Sequence, residues 1–269
     1  MTLDQKLNKL KNILNNYENV LIAFSGGVDS TLLLKVATMV LPKNNVLSVT
    51  AVSDTYTKEE LQLAKGLAAE VDVEHIIIES NEMEDKKFNS NPPERCYYCK
   101  YIRFNKLKEL ARNRGINYVL DGANIDDLSD YRPGSKAVQE LDVKSPLQEA
   151  QLTKNEIRDL SRELGLKTWN IPSVSCLASR ISYGDPISKE KLLKIKNGED
   201  YLKSLNFYPC RLRHHGNLAR IEIPVNKFND FTSRARDVYQ YFEKLGYTYV
   251  TLDIMGLRSG SMNETIKER

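Results

Sequence analysis

Four short apolar runs separated by helical patterns dominate the first half of the chain and restrict what it can fold into. The runs are residues 19–24, 46–52, 74–79 and 117–121. The helical patterns are residues 4–16, 30–41, 58–71 and 97–114. Short continuous apolar runs are typical of parallel strands that are buried on both faces. Their alternation with helices predicts an α/β fold with a doubly wound parallel sheet.

The pattern changes after Pro186. Beyond it we expect a helix, two strands around a turn at Gly216, a long helix over 226–245 and a final strand. This order predicts a small α+β domain and is compatible with a ferredoxin-like arrangement. We therefore expect residues 1–186 to form a first domain that carries three of the cysteines. Residues 187–269 would form a smaller, substrate-binding domain.

Size and composition exclude several classes of protein. The chain has 269 residues, of which 41% are apolar and 28% charged, as in ordinary globular proteins. Its best candidate for a membrane helix, residues 31–41, is short and contains Lys35. The N-terminus is too polar for a signal peptide, so we expect a cytoplasmic protein. A formal net charge of +3 is too small for a surface that binds nucleic acid over the whole molecule.

A glycine-containing loop, here called the phosphate loop, follows the first predicted strand. Its sequence is Ser25-Gly26-Gly27-Val28-Asp29-Ser30. The glycines permit a tight turn, and backbone N–H groups at a helix N-terminus favour phosphate. Ser25 and Ser30 add hydroxyl donors, while the negative charge of Asp29 suits a bridging Mg²⁺ better than phosphate. A turn that only caps the helix is the alternative, but the complete hexapeptide favours nucleotide binding.

Polar segments also follow the other predicted strands. Ligands of open α/β sheets bind at the carboxyl ends of the strands, so one shared site is expected. After the fourth strand, Asp126 and Asp127 would hold Mg²⁺ or order their loop. Arg132, in the segment 130–134, would neutralise phosphate or form a salt bridge within the loop.

The spacing of the cysteines points to a metal or cluster site. Cys96 and Cys99 form a C-x-x-C pair after the third strand, and Cys176 lies in a later loop. Three thiolates on a 4Fe-4S cluster would leave one iron open. Zinc would need a fourth ligand, and isolated thiols or a redox pair are further alternatives. Cys210 alternates with polar residues along a strand, so we expect it to be a core thiol.

Arginines on the strands of the small domain form a candidate anion site. Arg211 and Arg213 share one face of the first strand, and Arg220 and Glu222 share a face of the second. Converging guanidinium groups bind phosphate or carboxylate well, although a solvated face would look similar. Arg258, in the terminal segment, adds another donor.

The phosphate loop with its strand and helix resembles the PP-loop of the ATP pyrophosphatase superfamily, and it lacks the Gly-Lys-Thr/Ser ending of a Walker loop. Further segments resemble the LarE family, whose members are ATP-dependent sulfur transferases (sulfur insertases) that help make the nickel-pincer nucleotide cofactor of lactate racemase. These segments are residues 121–134, 175–180, 211–213 and 258–263.

The resemblance implies that ATP adenylates a carboxylate of pyridinium-3,5-biscarboxylic acid mononucleotide. Sulfur would then replace the adenylated oxygen, AMP would leave, and a thiocarboxylate would form. Cys176 matches the sulfur-bearing cysteine of the family, and Arg211 and Arg213 match positions expected to hold the substrate phosphate. Weaker matches to the same pocket are Ser179, Arg180, Glu199 and Asp230.

The sequence departs from single-cysteine members of the family, in which the matching cysteine gives up its sulfur and becomes dehydroalanine. The presence of Cys96 and Cys99 resembles a three-cysteine branch, which implies a 4Fe-4S cluster that binds an extra sulfide. The expected cofactors are therefore ATP, Mg²⁺ and this cluster. The expected partners are the mononucleotide, a sulfide source and further copies of the chain in a homo-oligomer, without nucleic acid or a membrane.

Three other functions stay open at this point. A PP-loop tRNA thiolase could combine the loop with three cysteines, but the low net charge and the terminal segment disfavour it. An ATP-dependent amidating enzyme would need ammonia and no cluster. A nucleotide-binding module without catalysis would release no pyrophosphate.

Overall fold

The computed structural model describes residues 1–128, 132–172 and 175–264. The chain divides into two compact units, one of Met1–Asp85 with Glu94–Val174 and one of Lys86–Pro93 with Ser175–Arg269. Residues 175–186, which the sequence placed in the first domain, thus group with the second unit. Contacts with the second sheet explain this grouping, because Ile181 forms a parallel bridge with His214 and the Arg213 guanidinium donates to the Ser179 carbonyl at 3.0 Å.

The described residues form eleven α-helices and seven strands. The helices are α1 Leu3–Asn15, α2 Val28–Val40, α3 Lys58–Val71, α4 Lys86–Asn89, α5 Arg95–Asn113, α6 Gly134–Glu140, α7 Pro146–Glu149, α8 Lys154–Glu163, α9 Lys189–Ser204, α10 Phe228–Ser233 and α11 Ala235–Lys244. The strands are β1 Val20–Ala23, β2 Val46–Val52, β3 Glu74–Glu79, β4 Tyr118–Leu120, β5 Arg211–His215, β6 Leu218–Glu222 and β7 Tyr249–Leu252. None of the helices in these described ranges is long and apolar enough to cross a membrane.

The first unit contains a four-stranded parallel sheet in the order β3-β2-β1-β4. Hydrophobic clusters of the described residues lie on this sheet. One combines residues of β1 with the leucines of α2, while another includes Leu47, Val119 and residues of α5. The predicted doubly wound α/β fold is therefore confirmed. Because β1 lies between β2 and β4, the loop that follows β1 starts at the middle of the sheet.

Local sequence explains where several of these helices begin. Thr57 and Glu60 form a capping box at α3, and Thr153 and Glu156 form one at α8. In each box the threonine hydroxyl accepts a backbone N–H that the helix itself leaves without a partner, and the glutamate returns the bond. The start of α8 matters for the site, because its first residue is Lys154.

The second unit has a mixed three-stranded sheet in the order β5-β6-β7, with β5 antiparallel and β7 parallel to β6. The second unit therefore contains the helices and the sheet of the predicted smaller α+β domain. The prediction of a ferredoxin-like arrangement is wrong for the described residues, because that arrangement has four strands and this sheet has three. The prediction of a single helix over 226–245 is also wrong. It is interrupted at Arg234 between α10 and α11.

A glycine in α9 tests how closely this helix packs on β5. A Cβ added to Gly198 would lie 2.4 Å from Leu212 Cδ2, and Leu212 is fully buried. Replacing a helical glycine ordinarily gains about 0.5–1 kcal/mol, whereas overpacking a core costs about 1–3 kcal/mol. We expect Gly198→Ala to lower the free energy of unfolding by roughly 1 kcal/mol or more in denaturant titrations.

The matched control is Gly66→Ala in α3, where an added Cβ would meet no atom within 4 Å. This variant should be neutral or slightly more stable than the parent chain. A stabilised Gly198→Ala would contradict the described packing of α9.

Candidate active site

The phosphate loop brings two hydroxyl groups together at the N-terminus of α2. The Oγ atoms of Ser25 and Ser30 are 3.1 Å apart. Ser30 donates to the carbonyl of Gly27 at 3.2 Å, and the Gly27 N–H donates to Ser25 Oγ at 3.3 Å. Because Gly27 is the N-cap of α2 and has no side chain, the first backbone N–H groups of the helix are open to an anionic ligand.

Gly26 and Tyr56 shape this loop. Gly26 has a φ of +72°, and an added Cβ would lie 3.1 Å from the Cα of Ala64, so only glycine suits this position. Tyr56 Oη donates to the carbonyl of Ser25 at 2.8 Å. Burial, with a smaller contribution from Glu60, raises the pKa of Tyr56 to about 12. The phenol therefore stays protonated and holds the loop.

A cavity of about 520 Å³ opens at the carboxyl ends of β1, β2 and β4. One part of its wall is apolar and is formed by Phe24, Val49, Ala51, Phe104 and Leu107. The other part is polar and includes residues of the phosphate loop, α5, the segment after β4 and α8. An apolar pocket beside a phosphate-binding loop has the size and the two kinds of surface that a nucleotide requires.

Asp29 is the acidic residue of the phosphate loop that faces this cavity. Its Oδ1 accepts a hydrogen bond from the Asn124 side chain at 3.2 Å, and its Oδ2 forms an ion pair with Lys154. The carboxylate of Asp126 accepts the backbone N–H of Lys154 at 2.8 Å. All four residues line the cavity, so Asp126 lies close to the phosphate loop, and its role as a Mg²⁺ ligand stays a prediction.

This donor set fits Mg²⁺. The ion usually takes one or two protein carboxylates together with phosphate oxygens, and Asp29 and Asp126 can supply such oxygens. Within the described ranges, no group of three or more His, Cys, Asp or Glu side chains is arranged to hold a metal ion. A magnesium ion here would therefore depend on the nucleotide for much of its coordination.

Two further charged pairs lie in the cavity wall. Arg132 pairs with Asp127 at 2.8 Å, and Lys100 lies 3.6 Å from Asp121. Arg132 therefore makes the salt bridge that the sequence offered as one alternative, and it also lines the cavity. The neighbouring Asp130 and Tyr131 of its motif lie outside the described residues.

Sequence reasoning missed a charged network beside the cavity. Glu82 is fully buried and lies 2.5 Å from the Nη2 of Arg103, which lines the cavity. Burial alone would raise the pKa of Glu82, but the charge of Arg103 and hydrogen bonds from Ser53 and Ser80 outweigh it and lower that pKa. The network fixes the guanidinium of Arg103 in the wall.

The cysteines of the C-x-x-C pair lie in the first two turns of α5. Cys96 is exposed and Cys99 is partly buried. Each precedes a residue of the cavity wall by one helical turn, since Lys100 and Arg103 are four residues further along α5. Residues four apart are neighbours on one face of a helix, so both thiols lie on the face of α5 that continues into the cavity wall.

Cys176 belongs to the second unit, where it is exposed and directly precedes a short 3₁₀ helix, Leu177–Arg180. The three predicted cluster ligands are thus divided between the two units, and the cluster stays a prediction. Cys210 is buried in the core of the second unit, as expected. Burial raises its pKa to about 12, which opposes the thiolate form that a metal ligand requires.

The segment that follows Cys176 is anchored by a buried ion pair. Arg180 Nε lies 2.7 Å from Glu199 Oε1, and both residues are almost completely buried. The guanidinium also donates to the Ser175 carbonyl and the Ser179 hydroxyl, each at 3.0 Å. Arg180 and Glu199 therefore hold the segment after Cys176 in place. Asp230, the other predicted residue of this pocket, is exposed on α10.

The predicted arginines share one face of the second sheet. Arg211 pairs in register with Glu222, and Arg213 with Arg220. Arg213 is almost fully buried, donating to Glu222 at 2.9 Å and to the Ser179 carbonyl at 3.0 Å. Arg211 is only partly buried and donates to the carbonyl of Arg258 at 3.1 Å. Of the two predicted ligands of the substrate phosphate, Arg211 is the more accessible.

Comparisons with known proteins agree with this geometry. A family model described as a PP-loop domain matches residues 1–131. The pyridinium-3,5-bisthiocarboxylic acid mononucleotide synthase of Lactiplantibacillus plantarum is 39% identical over 98% of this chain and 96% of its own length. An uncharacterized protein of Synechocystis is 42% identical, with 98% and 99% covered, and one of Methanocaldococcus jannaschii is 31% identical, with 95% and 98% covered.

Proposed function

The chain belongs to the LarE family of PP-loop enzymes, and we propose how it performs the ATP-dependent sulfur transfer of nickel-pincer cofactor synthesis. The substrate would be pyridinium-3,5-biscarboxylic acid mononucleotide. ATP would adenylate one carboxylate, and sulfide from a 4Fe-4S cluster would replace the adenylated oxygen. The observation that carries this proposal is the position of Cys96 and Cys99 on α5, one turn before residues that line the nucleotide cavity.

Adenylation uses the groups that face the cavity. A carboxylate oxygen of the substrate attacks the α-phosphorus of ATP, and the bond to the bridging oxygen of pyrophosphate breaks. The phosphate loop would hold the departing pyrophosphate with its backbone N–H groups and serine hydroxyls. Mg²⁺ bound by Asp29 would neutralise charge on the pyrophosphate.

Sulfur transfer then forms a carbon–sulfur bond and breaks the carbon–oxygen bond to AMP. A sulfur nucleophile attacks the carbonyl carbon of the acyl adenylate, and AMP leaves with the oxygen that the carboxylate contributed. A 4Fe-4S cluster bound by Cys96, Cys99 and Cys176 would supply this sulfur as sulfide on the iron that no thiolate occupies. The donor set fits such a cluster chemically, because two of the thiols are exposed and the third is partly buried.

Product analysis tests this function. Anaerobically prepared protein with ATP, Mg²⁺, sulfide and the mononucleotide should form AMP, pyrophosphate and thiocarboxylate in equal amounts, as measured by mass spectrometry. Ammonium in place of sulfide should give no amide. Amide formation, or thiolation of tRNA instead of the mononucleotide, would contradict the proposal.

The second unit would hold the phosphate of the mononucleotide through Arg211. We expect Arg211→Ala to weaken binding of the mononucleotide by about fivefold or more, the loss of one charge-assisted hydrogen bond. ATP affinity should be unchanged in the same calorimetric titrations. Arg213→Ala should also weaken binding, but it removes a partner of the fully buried Glu222, so its effect includes a loss of stability.

Arg236→Ala is the matched control, because Arg236 is an exposed arginine of the same unit on α11. It should bind the mononucleotide as the parent chain does. Equal losses of ATP and mononucleotide affinity in Arg211→Ala would count against a dedicated phosphate site.

A further inference from the structure

Two hydrogen bonds run across β3, β2 and the end of β1 to the start of the phosphate loop. The Nε2 of His75, in β3, lies 2.9 Å from the hydroxyl oxygen of Thr50, in β2. That hydroxyl donates to the carbonyl of Phe24 at 2.7 Å, and Phe24 is the residue between β1 and Ser25. We call these two bonds the relay, and the proposed chemistry uses neither of the two side chains in it.

The chemistry of the groups fixes the direction of both bonds. A carbonyl oxygen can only accept, so the single hydrogen of the Thr50 hydroxyl goes to Phe24. The hydroxyl oxygen must then accept from His75, which places an imidazole hydrogen on Nε2. Burial, with a smaller effect of the Lys65 charge, lowers the pKa of His75. The imidazole is therefore neutral at pH 7, and its one hydrogen serves the relay.

The Thr50 hydroxyl binds the backbone at the point where the chain leaves the sheet. The Phe24 N–H still donates to the Val49 carbonyl at 2.8 Å, as expected between parallel strands. The Phe24 carbonyl belongs to the peptide group that enters the phosphate loop, and it accepts from the Thr50 side chain. Thr50 is almost completely buried, so bulk water cannot replace His75 as the donor to its oxygen. The relay therefore fixes the peptide group that enters the loop.

We propose that His75 is a positioning residue of the phosphate loop and that it acts through Thr50. The imidazole keeps the threonine hydrogen directed at the Phe24 carbonyl, so the loop begins in the geometry that pyrophosphate release requires. His75 is not among the residues that line the described cavity, so it would not touch a nucleotide bound there. A preorganised contact acts mainly on the transition state, so His75 should affect kcat more than KM. This inference rests on the role that the proposed function gives to the phosphate loop.

Two amide substitutions in the full chain separate hydrogen bonding from packing. The amide nitrogen of glutamine can take the place of Nε2, whereas that of asparagine reaches only the place of Nδ1. We expect His75→Asn to lower kcat of mononucleotide-dependent pyrophosphate release by about fivefold, the loss of one hydrogen bond between neutral groups. KM for ATP should stay nearly constant, and His75→Gln should recover most of kcat. Thermal unfolding checks that both variants are folded.

A double-mutant cycle tests whether His75 acts through Thr50. Thr50→Val should lower kcat by about fivefold or more, and His75→Asn should cause no further loss in that variant. Ser48→Ala is the matched control, because Ser48 is buried two positions earlier in β2 and its hydroxyl donates to the Glu74 carbonyl. It should keep the kcat of the parent chain. Equal losses in His75→Asn and His75→Gln, or losses that add in the double variant, would overturn the proposal.

Nitrogen NMR tests the relay without the reaction. The histidine signals of the parent chain, assigned by the loss of one set in His75→Asn, should show the His75 hydrogen on Nε2. A hydrogen on Nδ1 would reverse the bond to Thr50 and overturn the proposal. If the parent chain released no pyrophosphate, the proposed function would be wrong, while the position of this hydrogen would still decide whether the relay exists.

Discussion

Replacing Cys96, Cys99 or Cys176 individually by alanine should abolish both the iron–sulfur absorbance and multiple-turnover sulfur transfer. Each thiolate would supply one of only three protein ligands, and a cluster that loses one is exposed to solvent and oxidation. ATP binding should survive in all three variants, because none of these cysteines lines the described nucleotide cavity. Iron and sulfide content, visible absorption and thiocarboxylate yield of anaerobically purified protein measure the effect.

Cys210→Ala is the matched control for these variants. Cys210 is buried beside Glu199, and its raised pKa disfavours the thiolate, so the cluster and the activity should both persist. A route in which Cys176 gives up its own sulfur makes the opposite prediction for Cys96 and Cys99. Full transfer by Cys96→Ala and Cys99→Ala, with Cys176 converted to dehydroalanine after one turnover, would establish that route and exclude a cluster as the sulfur source.

Removing the polar groups of the phosphate loop should have a comparably large effect on the first half-reaction. We expect Asp29→Ala and Ser30→Ala to lower pyrophosphate release by about a hundredfold or more, the scale seen when a preorganised transition-state contact is lost. Asp29 would hold the metal ion, and the Ser30 hydroxyl lies 3.1 Å from that of Ser25. A coupled pyrophosphate assay measures the rate.

The fold should survive both substitutions, because the partly exposed ion pair of Asp29 with Lys154 contributes about 1 kcal/mol or less. Ser30 is buried, but its hydroxyl bond to the Gly27 carbonyl contributes only about 1 kcal/mol. Asp72→Ala is the matched control, since it removes the carboxylate of the exposed pair with Lys43. Its pyrophosphate release should equal that of the parent chain. Unchanged release in Asp29→Ala and Ser30→Ala would contradict the assignment of the phosphate loop.

The sequence predicted the elements of the first unit closely where one local signal dominates. The strand and helix bounds at 46–52, 58–71 and 74–79 agree with β2, α3 and β3. A continuous apolar run or a capping box acts within a few residues, so it can be recognised without the rest of the chain. The long helix predicted over 226–245 failed because its apolar period continues through Arg234, where the backbone leaves the helix.

The sequence indicated the site only in part, because many of its contacts join residues far apart in the chain. Asp29 and Lys154 are separated by most of the first unit, and Glu82 meets Arg103 only because α5 packs beside the short turn 82–84 that follows β3. No local spacing signals such pairs. The arginines of β5 were recognisable because strand alternation is local, but the burial of Arg213 against Glu222 depends on pairing with β6.

Following one oxygen atom tests the central claim most directly. The mononucleotide is prepared with isotopically heavy oxygen in its carboxylates and incubated with the enzyme, ATP, Mg²⁺ and sulfide under anaerobic conditions. If the carboxylate is adenylated and sulfur displaces AMP, mass spectrometry should find one heavy oxygen in the phosphate of each AMP for every thiocarboxylate formed. Unlabelled AMP, or pyrophosphate release that does not require the mononucleotide, would contradict the account.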